Sequence, residues 1–210
     1  SIFFYNFVYS HVSESLAYLA DTDSGRKWTS QLYSNVFSQE HRAILSNDGF
    51  ELLSRIPKIL KSNDLNASLE QILAEVCEYQ GWPVGHIYEV NKKGKTLSPT
   101  SIWFFNSKKK GTKAFQDITM KTSFKIGQGL PGRVWKEKKP IWVEDVTIDK
   151  NFPRAKHAKD VGVRGALAFP VYTSKDLKYV FEIYSLKPEV PDAQALEMMA
   201  QIGYDISREF

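Results

Sequence analysis

Residues 123–171, SFKIGQGLPGRVWKEKKPIWVEDVTIDKNFPRAKHAKDVGVRGALAFPV, alternate short apolar stretches with turn-forming ones. In order, the pattern predicts a short strand, a glycine-rich turn, a short helix, a second strand, an Asp-Lys-Asn-Phe-Pro loop, a short basic helix and a strongly apolar strand. Strands and helices that follow each other this closely leave little room for a linker. We therefore expect the whole stretch to belong to one folded unit.

The glycine-rich turn contains a literal G-x-G-x-x-G motif at Gly127–Gly132. In dinucleotide-binding proteins this motif follows a buried parallel strand and opens a full-length helix. Here the preceding strand, 123–126, is short and contains Lys125. The following helix, 131–137, is too short to cross a sheet, and Pro140 follows it. We therefore favour a structural turn over a nucleotide site.

The chain resembles a GAF domain of bacterial signal-transduction sensor proteins in a series of consecutive motifs. They are GQGLPGRVW, PIWVEDV, NFPRA, GALAFPV, YVFEIYS and the terminal PDAQALEMMAQIGYDIS. The resemblance covers roughly residues 64–208 and implies a sensor fold, but it identifies no ligand, because a shared fold does not assign a function. We divide the chain into a helical N-terminal extension of unknown family, 1–62, and a GAF-like sensor domain, 63–210.

Composition indicates a globular chain of 210 residues, 42% apolar and 25% charged. We find no run of the roughly 18 apolar residues that a membrane span requires, so we expect no membrane contact by this segment. A single cysteine, Cys77, excludes an internal disulfide and fits a reducing compartment, which predicts a cytoplasmic location. Cys77 lies on an apolar helical stripe, and we interpret it as a buried structural thiol.

Positive charge is concentrated in residues 92–164, which hold 18 Lys or Arg against 6 Asp or Glu, a net of +12. Such a concentration is found at nucleic-acid interfaces, and it is also found where lysine-rich loops keep a sheet soluble. The lysines lack the interleaved aromatic residues that stack on bases. We therefore favour solubilising loops and expect no nucleic-acid partner.

Hydrophobic periodicity predicts an α+β fold with a six-stranded antiparallel sheet, and the resemblance implies that this fold is GAF/PAS-like. The predicted strands are 84–90, 97–105, 123–126, 141–145, 165–172 and 179–186. Helices at 64–79 and 192–208 should share one face of the sheet. Short helices and loops at 106–122, 131–137 and 147–162 should form a lid on the other face, with a ligand cavity beneath it.

The N-terminal extension also shows helical periodicity. Its apolar residues recur at helical spacing in residues 1–20, about 28–45 and 50–60. The chain starts and stops inside predicted helices, and we expect an effector domain of the same parent protein beyond residue 210.

Alternation along the last strand directs Glu182 and Tyr184 under the lid and Phe181 and Ile183 toward the helices. The same alternation groups Trp142 with Glu144. With aromatic walls and a basic lid, the site should suit a planar, partly anionic small molecule. The predicted ligand-binding residues are Trp103, Phe124, Arg133, Trp135, Trp142, Glu144, Phe152, Arg154, His157, Glu182 and Tyr184. Each aromatic could instead be a core residue, and Arg154 could instead be a structural pairing residue.

The sequence contains no complete motif for a metal site, a covalently bound cofactor or a catalytic centre. The four histidines are scattered, without the spacing of a metal site. The resemblance raises haem binding through His157, covalent bilin attachment, cyclic-nucleotide binding and methionine sulfoxide reduction, but the matching motifs are incomplete. One cysteine, for example, cannot cycle through a disulfide. We therefore expect no enzyme, and the cofactor is unknown.

The predicted function is a regulatory sensor module that binds an unknown small molecule and controls a downstream effector domain. We also expect a homodimer formed through the terminal helices. The alternative is a dimerisation or protein-interaction module without a ligand.

Overall fold

A computed structural model describes residues 47–62, 64–91, 93, 96–106, 112–155, 162–173 and 176–208. The chain divides into two compact units, Ser1–Ser46 and Asn47–Phe210, and all described residues belong to the second. The helices predicted within residues 1–45 and the predicted lid residue His157 lie outside the described residues. Among the residues described, no helix is both long and apolar enough to cross a membrane.

The domain is built on a five-stranded antiparallel sheet in the order β2-β1-β5-β4-β3. The strands are β1 Val84–Val90, β2 Leu97–Phe105, β3 Ile141–Val143, β4 Ala166–Thr173 and β5 Asp176–Tyr184. β4 is an apolar strand buried over most of its length, and β5 is buried from Tyr179 to Tyr184, as expected for central strands covered on both faces. β5 pairs with β1 and β4, so Glu182 lies opposite both His86 and Ala168. The predicted α+β architecture is confirmed.

The prediction of six strands is wrong. Residues 123–126 form only an isolated bridge, in which Phe124 and Leu97 exchange two backbone hydrogen bonds of 2.8 and 3.0 Å. The chain then turns away through Gly127, whose φ is +79°. One residue of pairing before a left-handed turn is too short to make a strand.

The helices are α1 Asn47–Ser62, α2 Leu65–Gln80, α3 Thr112–Met120, α4 Gly129–Glu137 and α5 Ala193–Ser207. α2 packs on β1 and β2, α5 packs on β4, and α1 packs on both helices. Asp64 and Asp192 cap α2 and α5, with side chains that accept from the backbone N–H groups of Ala67 and Gln194. These caps account for where the two terminal helices begin, and their packing on the sheet accounts for the face that they cover.

Close backbone approach brings α2 and α5 onto the sheet. A Cβ at Gly85 would lie 2.6 Å from Cys77 Sγ, and one at Gly203 would lie 2.3 Å from the Pro170 carbonyl oxygen. Cys77 is fully buried, as the sequence predicts, and burial raises the pKa of its thiol.

α1 belongs to the same compact unit as the sheet. The predicted boundary between extension and sensor domain, at residues 62 and 63, follows α1 rather than preceding it. The division into these two domains stays a prediction.

The glycine-rich turn is a closed structural element. Gly127 N–H donates to the Gly132 carbonyl at 2.7 Å, and a Cβ at Gly132 would lie 2.2 Å from the Lys125 carbonyl oxygen. Gly129 N–H donates to Asn151 Oδ1 at 2.9 Å. The amides that would surround a phosphate therefore already have acceptors within the chain, in agreement with a structural turn.

Candidate functional site

The guanidinium of Arg154, only 1% exposed, lies at the centre of the core between the sheet and its short-helix cover. Nη1 donates to Thr119 Oγ1 at 2.9 Å and to Glu182 Oε1 at 3.0 Å. Nη2 donates to Glu182 Oε2 at 2.9 Å and to Tyr184 Oη at 2.8 Å. The pair with Glu182 is bidentate, the geometry that a planar guanidinium favours. Each of the four terminal N–H groups can therefore be matched to one acceptor.

A turn directs Arg154 inward. Ala155 N–H donates to the Phe152 carbonyl at 2.9 Å, which places Pro153 second in a four-residue turn, where its fixed φ is favourable. Phe152 is 4% exposed and packs in the same core. We call residues 147–155 the lid segment.

Asn151 ties the lid segment to the glycine-rich turn. Its Nδ2 donates to the Gly127 carbonyl at 2.9 Å, while its Oδ1 accepts from Gly129 N–H at 2.9 Å. Asn151 N–H in turn donates to Asp149 Oδ1 at 2.7 Å. Lid segment and glycine-rich turn thus support each other.

β5 provides the Glu182 and Tyr184 side chains that accept these hydrogen bonds from Arg154. Glu182 and Tyr184 point to the lid side, whereas Phe181 stacks on Phe169 with ring centroids 4.9 Å apart. Phe169 lies beneath Gly203 of α5, on the helix side. The two sets of side chains lie on opposite faces, as the period of a strand requires.

Five aromatic rings surround the guanidinium. They belong to Tyr88, Phe115, Phe124, Phe152 and Tyr184, with centroids 5.1–5.8 Å from Arg154 Cζ. A cation within about 6 Å of an aromatic centroid is attracted by the negative face of the ring, most strongly where water is excluded. We call these five rings, with Glu182 and Thr119, the guanidinium cage.

His86 lies beside the cage and is fully buried. Its Nε2 lies 3.0 Å from the Thr100 carbonyl, which can only accept, so Nε2 carries the proton. Nδ1 has no hydrogen-bond partner and lies 3.5 Å from Glu182 Oε1. Its ring packs on Trp103, with centroids 4.1 Å apart. Burial lowers the pKa of His86 despite the nearby carboxylate, which leaves the ring neutral at pH 7.

The charges in the cage balance each other. Burial alone raises the pKa of Glu182, but the attraction of Arg154 outweighs it and holds that pKa at about 2. Burial opposes the positive charge of Arg154, but the attraction of Glu182 dominates and raises its pKa. Glu182 is therefore an anion and Arg154 a cation at pH 7, and burial raises the pKa of Tyr184, which stays neutral.

The structure brings five of the predicted site residues together: Phe124, Phe152, Arg154, Glu182 and Tyr184. Trp103 lies next to this group, against His86. Trp135, partly buried on α4, packs at the edge of the same core. His157 lies outside the described residues.

Trp142 and Glu144 are misplaced by the sequence prediction. Ile141 and Val143 are the β3 residues that face the lid side, so Trp142 points to the opposite face. Its Nε1 donates to the Glu189 carbonyl at 2.7 Å, and its ring meets Trp82 edge-on. Glu144 is exposed. A three-residue strand offered no apolar alternation by which to orient the pair.

The expectation of a lid with cations available to an anionic ligand is corrected. Arg154 is neutralised by Glu182 inside the core, and Arg133 pairs with Asp149 at 2.8 Å. Both predicted cations that the structure describes therefore already have carboxylate partners. A partly anionic ligand would have to compete with a carboxylate at either position.

Sequence reasoning missed His86, Tyr88, Phe115 and Thr119. His86 and Tyr88 are two residues apart on β1 and face the lid side together. The alternation of β1 could have identified them. Phe115 and Thr119, four residues apart on α3, share a helix face.

An open groove of about 1090 Å³ lies elsewhere, beside the N-terminal end of α2. Asp64, Glu70, Glu89 and Asp176 line it, and Glu89 pairs with Lys178 at 2.7 Å. Among the described residues there is no group of three or more metal-ligating side chains, here or in the guanidinium cage.

Known proteins with detectable sequence similarity include plant proteins. Protein NLP2 of Arabidopsis thaliana is 37% identical over 93 residues, which cover 40% of this chain and 10% of NLP2. Protein NLP7 of the same plant is 33% identical over 93 residues, with the same coverage. The matched part spans about a tenth of these proteins. The predicted bacterial source stays a prediction.

Solved structures share the fold at low sequence identity. The GAF domain of a phosphoenolpyruvate-protein phosphotransferase from Coxiella burnetii superposes with a TM-score of 0.63 at 16% identity, covering 78% of this chain and 94% of that one. The free methionine-R-sulfoxide reductase from Neisseria meningitidis, in complex with its substrate, has a TM-score of 0.62 at 16% identity, covering 79% and 92%.

The reductase corrects the sequence-based expectation that the chain is not an enzyme. The same fold carries a catalytic activity in that protein, so a GAF-like fold does not exclude catalysis. Enzyme status therefore does not follow from the architecture.

Family models account for most of the chain. Residues 1–42 match a family described as Npun_R2479-like. Residues 62–208 match the GAF domain model, which covers the whole sheet, the guanidinium cage and α5. The chain therefore belongs to the GAF domain family, whose members are generally sensor or regulatory modules.

Proposed function

We propose that this GAF domain is the sensor of a larger regulatory protein and binds a small ligand in the guanidinium cage when the lid segment opens. The observation that supports the proposal is the fully buried pair of Arg154 and Glu182. Removing two charges from water costs several kcal/mol per ion, and apolar replacements of such pairs are often neutral or stabilising. Stability alone therefore gives little reason for this pair, whereas a polar binding site does.

The two faces of β5 provide a route for the signal. Glu182 lies in the cage, and its neighbour Phe181 packs on Phe169 beneath α5. A ligand that changes the partner of Glu182 would shift β5 and thereby the packing of α5. In this proposal α5 passes the change to an effector domain of the parent protein, and the terminal helices hold two chains together.

The test is a thermal-shift screen of the 210-residue chain against amines, amino acids, nucleotides and organic acids. For any compound that raises Tm, hydrogen exchange of the chain is then measured with and without that compound. We expect a ligand that changes protection in the lid segment and in α5. Glu89→Gln serves as a control because it removes a partly exposed carboxylate outside the cage. It should leave the ligand-induced changes in Tm and in hydrogen exchange intact. A ligand that alters α5 but not the lid segment would refute the cage as the sensing site.

The second candidate is a ligand-free dimerisation module, and the filled cage favours it. Arg154 already satisfies the acceptors that a ligand would use. Exposed apolar side chains on the terminal helices, Leu65 at 37% and Tyr204 at 44%, would then belong to the interface. Light scattering of Leu65→Glu and Tyr204→Glu tests this. Loss of dimer mass in both variants, with no ligand found, would support the second candidate over the first.

A further inference from the structure

We propose that the guanidinium cage is a receptor for monosubstituted guanidines, that Arg154 is its built-in occupant, and that the external ligand carries the same group and displaces Arg154. The inference rests on the proposed function, ligand binding beneath the lid segment, and adds the chemical class of the ligand. It also reverses the charge that the sequence predicted for that ligand.

The hydrogen-bonding groups of the cage match a guanidinium with one substituent. Such a group has four terminal N–H bonds, and the cage offers them four acceptors: both oxygens of Glu182 and the hydroxyls of Thr119 and Tyr184. The fifth N–H, on Nε of Arg154, has no partner. It lies on the side where the substituent enters. An alkylguanidine presents the same four bonds and the same substituted nitrogen.

The charge and shape of the cage select the same class. Without Arg154, the cage would hold the Glu182 carboxylate, two hydroxyls and the faces of five aromatic rings. His86 adds no competing positive charge, because burial lowers its pKa. Such surroundings attract a planar cation and repel an anion. An ammonium ion would satisfy fewer of the acceptors, because its three N–H groups do not lie in a plane.

Displacement of Arg154 needs only a local change. Arg154 comes from a turn between Phe152 and Ala155, not from the middle of a long helix. The turn is held by Asn151 and by the packing of Phe152. An external guanidine and Arg154 would compete for one set of acceptors. Removing the Arg154 side chain should therefore strengthen binding of the external compound, since a binding-competent site is then always available.

The experiment uses the 210-residue chain as wild type, Arg154→Ala and Arg154→Ala/Glu182→Gln. Calorimetric titration and thermal shift measure binding of ethylguanidinium. Ethylurea is the matched neutral control and ethylammonium the matched non-planar cation. We expect Arg154→Ala to bind ethylguanidinium at least about tenfold more tightly than wild type. We expect ethylurea and ethylammonium to bind at least about tenfold more weakly, and the double variant to lose the preference.

Poor folding of Arg154→Ala leaves the proposal testable. If that variant is unfolded alone, ethylguanidinium should restore its native circular dichroism, because a ligand that binds only the folded state stabilises it. In wild type, ethylguanidinium should speed hydrogen exchange in the lid segment as Arg154 is displaced. The proposal is overturned if Arg154→Ala shows neither binding nor refolding, or if ethylurea acts as well as ethylguanidinium.

Failure here is distinct from failure of the proposed function. An anionic or neutral compound that changes exchange in both the lid segment and α5 would retain the sensor and refute the guanidine assignment. Guanidine binding to the cage without any change in α5 would retain the assignment and refute the sensor.

Discussion

Alternate residues of β5 face two cores that are built differently. Phe181 and Ile183 are fully buried on the helix side, in apolar surroundings that include Phe169. Glu182 and Tyr184 are equally buried on the lid side, where they meet a charged guanidinium. Apolar burial stabilises a fold by about 25 cal/mol per Å², whereas desolvation offsets much of the attraction within a buried ion pair. The helix side therefore stabilises the domain by apolar burial alone, whereas the lid side combines apolar burial with a buried ion pair whose net contribution is small.

The largest effect should come from breaking the buried pair. Arg154→Leu leaves the Glu182 carboxylate without its cation, and we expect a loss of about 4 kcal/mol in the free energy of unfolding. Arg154→Leu/Glu182→Leu removes both charges and should recover most of that loss. Urea denaturation measures both variants. A double variant no more stable than the single one would show that the pair itself contributes net stability.

Phe152→Ala should cost about 3 kcal/mol, because the ring is buried and the variant leaves a cavity. Hydrogen exchange should show lost protection chiefly in the lid segment. The matched control is Phe181→Ala, on the helix side of β5, which should loosen β4, β5 and α5 together. Equal loss of protection in both variants at all these sites would contradict the distinction between the two cores.

The pH dependence of stability should report on His86. Its pKa is lowered in the folded state from the usual 6.5, so the unfolded chain binds more protons and stability falls as pH drops below about 6.5. The pKa of Glu182 is also lowered, so protonation of this group further reduces the stability as the pH falls below about 4.5. Between about pH 5 and pH 7, Tm should therefore rise less steeply with pH in His86→Gln than in wild type. Identical slopes would exclude His86 as the source.

The smallest effect should come from the partly exposed pair of Lys178 and Glu89, which lies outside the cage. Lys178→Met should change the free energy of unfolding by no more than about 0.2–1 kcal/mol, because water and salt screen such a pair. The difference should shrink further in high salt. A loss as large as that of Arg154→Leu would mean that burial does not distinguish the two pairs.

Much of the fold could be predicted because its signals are local. The alternation of β5 correctly separated Glu182 from Phe181, and the predicted helices at 64–79 and 192–208 begin one residue before the observed starts of α2 and α5. The prediction failed where local patterns are short. Residues 123–126 resemble a strand but pair through Phe124 alone, and β3 is too short for Trp142 to be oriented.

The local order of apolar, polar and glycine residues is enough to specify most elements of this GAF domain and which β5 side chains point away from the helix side. It does not specify what those side chains meet. The partner of Glu182 comes from a turn 28 residues earlier in the chain, and His86 reaches the cage through the register of β1 against β5. Those pairings depend on non-local packing and on the exclusion of water from Arg154. Only the tertiary structure could therefore show that Arg154, predicted as a cation of the lid, is buried and neutralised by Glu182.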